Sequence, residues 1–517
     1  MRRRAWGFQF AGSFFTLKSP RPLEQAIMNP RHYIACDLGA ESGRVMLGTL
    51  EEGRLEVREA HRFLNGPARI MGTFRWDTLR IFEELKCGLR KVAEQGIAAA
   101  SVSVDSWGVD YVLTRRGQPQ LAMPYNYRDA RTEKTFEAAL KKGTAERIFE
   151  ETGIQFMSIN TLYQFVADME ELPEVLGITE SFLLIGDYFN YLFSGRGVAE
   201  ESLASTTQMY NTRTREWSRE LIEVFGFKGE MFPEIVPSGT ILGPLLEEIA
   251  EETKLAGTQV VATCSHDTGA AVAAVPAEGD DWAFLSSGTW SLIGVELPGP
   301  LINDAVRQAN FTNEAGHGGT TRFLKNISGL WLLQECRRAW AKEGREYGYD
   351  ELTRLALETA PLQSLVNPNA AGLSRPDQMP RKIQEACEAQ GERVPETPGE
   401  IARCILESLA LTYRSAFEQL RELTGRNLNR LHIVGGGSQS ELLNQASADA
   451  IGCTVIAGPV EATAIGNLLV QAMALGDIGS LEELRKTVRE SFPVTTYVPH
   501  HDNKWSEASE RFRNLSN

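Results

Sequence analysis

One pattern occurs twice in this chain, about half its length apart. In "IACDLGAESGRVMLGT" (34–49) and again in "AFLSSGTWSLIGVEL" (283–297), an apolar strand, a short Gly/Ser turn and a second apolar strand follow one another. A repeat on this scale predicts two units of similar topology facing each other, each offering a hairpin to a shared cleft. Two glycine-containing hairpins also match by chance, so the rest of the chain has to agree. From residue 32 onward, strand-like runs such as "YIACDL", "QVVATC", "WSLIGVEL" and "LHIVGG" alternate with helical stretches. Those stretches, among them "TLRIFEELKCGLRKVAEQ" and "PGEIARCILESLALTYRSAFEQLRELTG", carry apolar residues every three or four positions. The prediction is an α/β protein throughout. The second helix is expected to stop at Gly425, and the proline-punctuated region 359–399 to run as a long surface excursion over the site.

Charge and cysteine content exclude several classes. With 53 Lys+Arg against 68 Asp+Glu the net charge is −15, and no basic block stands out except Arg2 to Arg4. A nucleic-acid binder needs a concentrated cationic face. The seven cysteines are scattered, none within sixteen residues of another. They give neither a metal-ligand spacing nor a disulfide framework, and reduced thiols in a cytoplasmic protein are expected. No apolar run approaches the roughly 20 residues of a membrane span. The start, "MRRRAWGFQFAGSFF", has a charged head and aromatics, but Gln9, Gly12 and Ser13 break its apolar portion and no small-residue cleavage site follows. It reads as an ill-ordered extension and not as a secretory signal.

Five segments suit the handling of a phosphate and a hydroxyl. Neither the Gly-Lys-Ser/Thr phosphate loop nor a Gly-x-Gly-x-x-Gly after the first strand is present. A glycine hairpin can still aim successive backbone N–H groups at phosphate oxygens. "LGAESGR" and "SSGTWS" both suit that task, with Arg44 and the Thr289 hydroxyl as further donors, and each alone equally fits a plain tight turn. "LHIVGGGSQSELLNQASADAIG" (431–452) runs a buried strand into three glycines and a helix start. That gives either a seat for a flat group beside a positive helix end or a close helix–strand crossing. In "VVATCSHDTGAAVAAV", Asp267 ends a strand and opens a small-residue helix. It fits a helix cap, a carboxylate that takes the proton of a hydroxyl attacking phosphorus, or both. Finally, "SVSVDSWGVDYV" sets Trp107 and Gly108 between Asp105 and Asp110. That is a stacking face with carboxylates for sugar hydroxyls, or a core tryptophan with solvated aspartates.

The ordered set "DLGAESGR", "DSWGVD", "SHDTGAAVA", "LSSGTWSLIG" and "IVGGGSQSELLNQASAD" resembles the motifs of the FGGY carbohydrate kinases, built on the actin-like ATPase fold. "YRDART", "TGIQFMSINTLYQF", "STTQMYN", "FLKNISGLWLLQE" and "GPVEATAIGN" agree with it, and the likeness runs from about residue 32 to about 495. The resemblance implies two ribonuclease-H-like α/β domains facing a central cleft. Its division is an extension at 1–31, an N-terminal domain at 32–272 with the sugar site and first phosphate hairpin, a C-terminal nucleotide domain at 273–500, and a tail at 501–517. It implies ATP with Mg²⁺ on one side and a ketose on the other, phosphorylated at its 1-hydroxyl. Ala40, Glu41, Ser42, Gly43 and Arg44 would form the first hairpin, with Asp37 near the magnesium through water. Thr289 would belong to the second hairpin, Gln334 to the nucleotide side, and Gly435 and Gly436 would contact the adenosine. Gly108, His266, Asp267, Thr268 and Asn326 match positions that hold the sugar, and Asp267 matches the catalytic base. Glu41 stands where a small residue is more usual, and its side chain is expected to face away from the phosphates. The implied partners are small molecules, with no nucleic acid and no membrane, in a monomer or homodimer. The rival readings are a kinase of another ketose or polyol, an actin-like ATPase without a sugar, and an inactive sugar sensor.

Overall fold

The computed structural model describes residues 30–373, 375–500 and 502–516. Of the extension read at 1–31, residues 1–29 lie outside the described residues, and Arg31 already opens the first strand. The N-terminal sheet comprises β1 (Arg31–Leu38), β2 (Ser42–Glu51), β3 (Arg54–Leu64), β4 (Ser101–Ser106), β5 (Thr240–Pro244) and β6 (Gln259–Ala262), in the order β5-β6-β4-β1-β2-β3. The C-terminal sheet comprises β7 (Trp282–Ser287), β8 (Trp290–Leu297), β9 (Thr312–Ala315), β10 (Thr321–Ser328), β11 (Arg430–Val434), β12 (Thr454–Ala457) and β13 (Thr495–Tyr497). Its order is β9-β10-β8-β7-β11-β12-β13.

The two sheets repeat one plan. A central strand, β1 or β7, runs antiparallel to its successor on one side and parallel to a later strand, β4 or β11, on the other. Central strands are covered on both faces, which is why "YIACDL" and "RLHIV" read as almost unbroken apolar runs. The internal echo seen in the sequence is therefore the pair of hairpins β1–β2 and β7–β8.

Helices follow their local signals. On the N-terminal sheet lie α1 (Thr78–Ala93), whose first turn is capped by Asp77, and α2 (Ile185–Ser194). The short α3 (Asp267–Ala273) leads to the second sheet, over which come α4 (Trp331–Lys342), α5 (Pro398–Thr424), α6 (Glu441–Ile451) and α7 (Ala462–Ala474). Thr397 and Glu400 cap α5 reciprocally, and it ends on Gly425 in the left-handed conformation, as its sequence predicts. One segment departs from expectation. In the region 359–399, Leu365, Val366, Ile383 and Cys387 are buried, so it is part of the C-terminal core as well as an edge of the cleft. The tail at 501–517 contains α8 (Lys504–Ser516), whose Trp505, Ala508 and Phe512 pack on Ala410 and Leu411 of α5 and Ala446 and Ala450 of α6.

One apolar cluster belongs to neither sheet alone. Tyr33, Ala35 and Met46 from the first, Phe284, Leu292 and Val434 from the second, and the small residues of α3 meet around Ile465, Leu468 and Leu469 of α7. Polar groups of α7 also cross: Asn467 donates to Asp105 at 2.6 Å, and Gln471 bonds Ser101 at 2.6 Å and the Ile34 carbonyl at 2.9 Å. No helix among the described residues is long and apolar enough to cross a membrane.

Candidate active site

The first hairpin places its charges by register. Asp37 on β1 lies opposite Arg44 on β2 and Asp105 on β4. Its turn is closed by the Gly39 N–H donating to the Ser42 carbonyl at 3.0 Å, and is pinned by Asn65 just past the end of β3, whose amide donates to the Gly39 carbonyl at 2.8 Å. Gly43 is a glycine because of its neighbour: a Cβ there would lie 2.1 Å from the Phe63 ring. In the second hairpin, Gly288 and Thr289 accept from the N–H groups of Leu330 and Trp331 at 2.9 and 3.2 Å, which joins the turn to the start of α4. After β11 the chain takes a 3₁₀ turn (Gly436–Gln439) before entering α6, not the direct strand-to-helix step of the sequence reading. Gly437 packs on that second hairpin, where a Cβ would meet Ser287 Oγ at 2.0 Å, while Gly436 faces open space.

Between the sheets lies a chamber of about 310 Å³. Asp37, Ala40, Arg44, Gly108, His266, Asp267, Thr268, Thr289, Asn326, Gly435 and Gly436 all line it, so eleven of the residues singled out in the sequence converge. Ser42 and Gly43 sit behind them in β2. Glu41 instead lines a wider cleft of about 1860 Å³ above the chamber and pairs with Arg338 of α4. Gln334, also on α4, lines neither space, and its Oε1 is buried without a hydrogen-bond partner.

Asp267 is the first residue of α3, with a third of its side chain open. Its Oδ1 accepts from the Thr268 N–H at 2.5 Å and the Thr268 hydroxyl at 3.1 Å, so it steadies its own helix while facing the chamber. Burial pushes the Asp267 carboxyl above the usual carboxylate range and Asp37 adds to that push, against the pull of His266 and the Thr268 donors. His266 Nε2 lies 3.5 Å from the same Oδ1. Its Nδ1 is met from the C-terminal sheet by Arg322 at 3.2 Å and Glu314 at 3.3 Å. Burial alone would raise the Glu314 carboxyl, but the fully buried Arg322 guanidinium at 3.1 Å and His266 hold it below its ordinary value. Asn326 is fixed by Gln155, which accepts from its backbone N–H at 2.9 Å and its side chain at 3.1 Å. Glu314 and Gln155 also line the chamber. Neither was singled out from the sequence: Gln155 lay inside a stretch matched as a whole, and Glu314 stands on a four-residue strand with no motif.

The pair Asp105 and Asp110 is neither solvated nor presented to a ligand; both are fully buried and outside the chamber lining. Asp110 accepts from the indoles of Trp76 at 2.6 Å and Trp107 at 3.0 Å, the Tyr127 N–H at 3.1 Å and the Gln164 amide at 3.0 Å, an anchor for the tryptophan pair. Asp105 keeps one oxygen, Oδ1, buried without a partner, and burial with nearby Asp37 lifts its carboxyl well up. Arg44 is held from both halves of the molecule, by Asp37 and by Glu461 at the head of α7. Cys264 is buried, and burial pushes its thiol up. Among the described residues no cluster of three or more His, Cys, Asp or Glu could hold a metal ion by itself.

Comparison with known proteins agrees with this geometry. Residues 32–274 match the FGGY family of carbohydrate kinases, N-terminal domain, and residues 283–475 match the C-terminal domain of the same family. The chain is 41% identical over 484 residues to a rhamnulokinase of Bacteroides thetaiotaomicron, covering 94% of this chain and 99% of that one. To a rhamnulokinase of Bacillus subtilis it is 39% identical over 467 residues, 90% of this chain and 95% of the other. A gluconate kinase from Lactobacillus acidophilus superposes with a TM-score of 0.76 at 16% identity, over 94% of this chain and 97% of that one. Plasmodium falciparum glycerol kinase with ADP does so with a TM-score of 0.76 at 13% identity, over 94% and 98%. Two sheets of one plan, a hairpin from each at one cleft, and family matches across both halves lead to one conclusion: the chain belongs to the FGGY family of carbohydrate kinases and has their two-domain, actin-like α/β fold.

Proposed function

We propose that the protein acts as a rhamnulokinase, moving the γ-phosphoryl group of ATP to the 1-hydroxyl of L-rhamnulose and releasing ADP. The observation that carries this reading is an Asp267 carboxylate, one third exposed, in a chamber lined by both hairpins, in a chain about 40% identical to rhamnulokinases over most of its length. On this reading the N-terminal half, 32–272, carries the sugar and the C-terminal half, 273–500, the nucleotide.

Asp267 takes the proton of the 1-hydroxyl as that oxygen closes on phosphorus, and its raised basicity suits the task. Thr268 and His266 hold the carboxylate in place. The polar wall of His266, Glu314, Asn326 and Gln155 offers donors and acceptors to sugar hydroxyls. Turn amides of the two hairpins face the phosphate oxygens, where negative charge spreads in the transition state. Magnesium would be held by Asp37, the carboxylate of the first hairpin that lines the chamber, partly through water and phosphate. When bound, it neutralises phosphate charge.

The test is ADP release measured with L-rhamnulose, D-xylulose, L-fuculose and glycerol, for the wild type and for Asp267→Asn. L-Rhamnulose is expected to give the highest kcat/KM. The variant should lose about 10²- to 10⁴-fold in kcat with ATP binding intact. Near-normal turnover by Asp267→Asn, or no sugar raising ADP release above background, would overturn the reading.

A further inference from the structure

The cations around the cleft, taken with their partners, do not add up to a triphosphate site. Arg44 on the first hairpin is occupied by two carboxylates, Asp37 and Glu461. Six cations line the wider cleft above it: Arg128, Arg338, Lys342, Arg345, Arg375 and Arg381. Five of these are paired, with Glu41 and Glu335, Asp377, Glu343, Glu133 and Glu385 respectively. Arg128 is the exception: among the described residues no carboxylate lies within 4.0 Å of its guanidinium.

Its surroundings are aromatic instead. The guanidinium carbon is 4.1 Å from the ring centre of Trp331, 5.7 Å from that of Trp290 and 5.2 Å from that of Tyr127. Trp290 follows Thr289 in the second hairpin and Trp331 opens α4, so an arginine of the N-terminal half is stacked against the C-terminal one. The loop carrying it is fixed: Asn126 accepts from the Arg128 N–H at 2.8 Å, and Asp129 accepts from the Phe74 and Arg131 N–H groups at 2.7 and 3.0 Å. Ala40 of the first hairpin and Thr289 and Trp290 of the second line both the chamber and the wide cleft, so Arg128 stands where the two hairpins meet.

Stacking on an indole holds the plane of a guanidinium and leaves its edge N–H groups free for an oxyanion. We propose that Arg128 is a further phosphate-binding residue: it bonds the β- or γ-phosphate oxygens of the bound nucleotide, and its stack on Trp331 and Trp290 ties that contact to the approach of the two halves. The proposal rests on the kinase reading above for its ligand, and not on which sugar is phosphorylated.

The experiment measures dissociation constants for ATP, ADP and AMP with Mg²⁺, by tryptophan fluorescence, for the wild type, R128M and R128K. Loss of one charge-assisted contact is expected to weaken ATP about 10- to 100-fold in R128M and to leave AMP within about twofold, with R128K between the two. KM for the ketose should stay within about twofold. Unchanged ATP affinity in R128M, or an equal loss for ATP and AMP, would overturn the proposal in favour of a packing role. The wild type supplies a second readout should R128M not fold. Phenylglyoxal modification of Arg128, followed by mass spectrometry, is expected to be blocked by ATP and not by AMP, and equal labelling with either would also overturn it. If L-rhamnulose is not phosphorylated while R128M loses its preference for ATP over AMP, the substrate reading fails and Arg128 stands; L-rhamnulose turnover with an unchanged preference is the reverse case.

Discussion

Glu200 carries the backbone on which Asp267 stands. Its Oε2 accepts from the N–H of Ser265 at 3.0 Å, the N–H of Ser202 at 3.0 Å and the Ser202 hydroxyl, and that hydroxyl in turn accepts from the His266 N–H at 3.0 Å. Burial pushes the Glu200 carboxyl up to about 7, although the Ser202 and Ser238 donors pull it back. The folded chain therefore keeps a proton that the unfolded chain releases above its ordinary value of 4.5. This contribution to stability is whole below about 4.5 and is lost as pH rises through about 7. In urea melts from pH 5 to 8, Glu200→Gln should be less stable throughout and should decline less steeply than the wild type. The difference in slope is on the order of 1 kcal/mol per pH unit inside the window, and parallel slopes would contradict the assignment. Asp267 could be picked out of the sequence because strand, carboxylate and helix start are neighbours there. Glu200 and Gln155 could not, since their partners lie 65 and 171 residues further along the chain.

Among the elements, α3 and α7 cross more closely than any side chain allows. A Cβ on Gly466 would sit 1.9 Å from the Ala270 carbonyl oxygen, and backbone on both sides leaves no flexible group to give way. Gly466→Ala is expected to cost about 1–3 kcal/mol by overpacking. Because α3 begins at Asp267, the displaced helix should lower kcat as well; a variant with wild-type urea midpoint and kcat would show the crossing to be looser than described. In the sequence "GAAVAAV" shows as a small-residue helix, but neither it nor "GPVEATAIGN" reveals that the two cross. Where the sequence left glycines open between ligand contact and plain geometry, Gly43 and Gly437 have a packing reason in Phe63 and Ser287. Trp505, Ala508 and Phe512 have helical spacing, yet a terminal stretch read alone gives no sign of the α5 and α6 surfaces it covers.

For the molecule as a whole, the repeated hairpin was the legible part, because a ribonuclease-H-like sheet needs its first two strands adjacent in sequence. The parallel strands β4, β6, β11 and β12 come from distant segments, and their order could not be read from local patterns. The apolar cluster around α7 joins both sheets, and its polar bonds reach Asp105, Ser101 and Ile34. The two halves should therefore unfold together, in a single calorimetric transition with equal van't Hoff and calorimetric enthalpies; two resolved peaks would refute a common core. While α7 fastens the two sheets at their common core, the Glu41–Arg338 pair and the stack of Arg128 on Trp331 bridge the same two halves at the wide cleft, so that mouth cannot widen without breaking both.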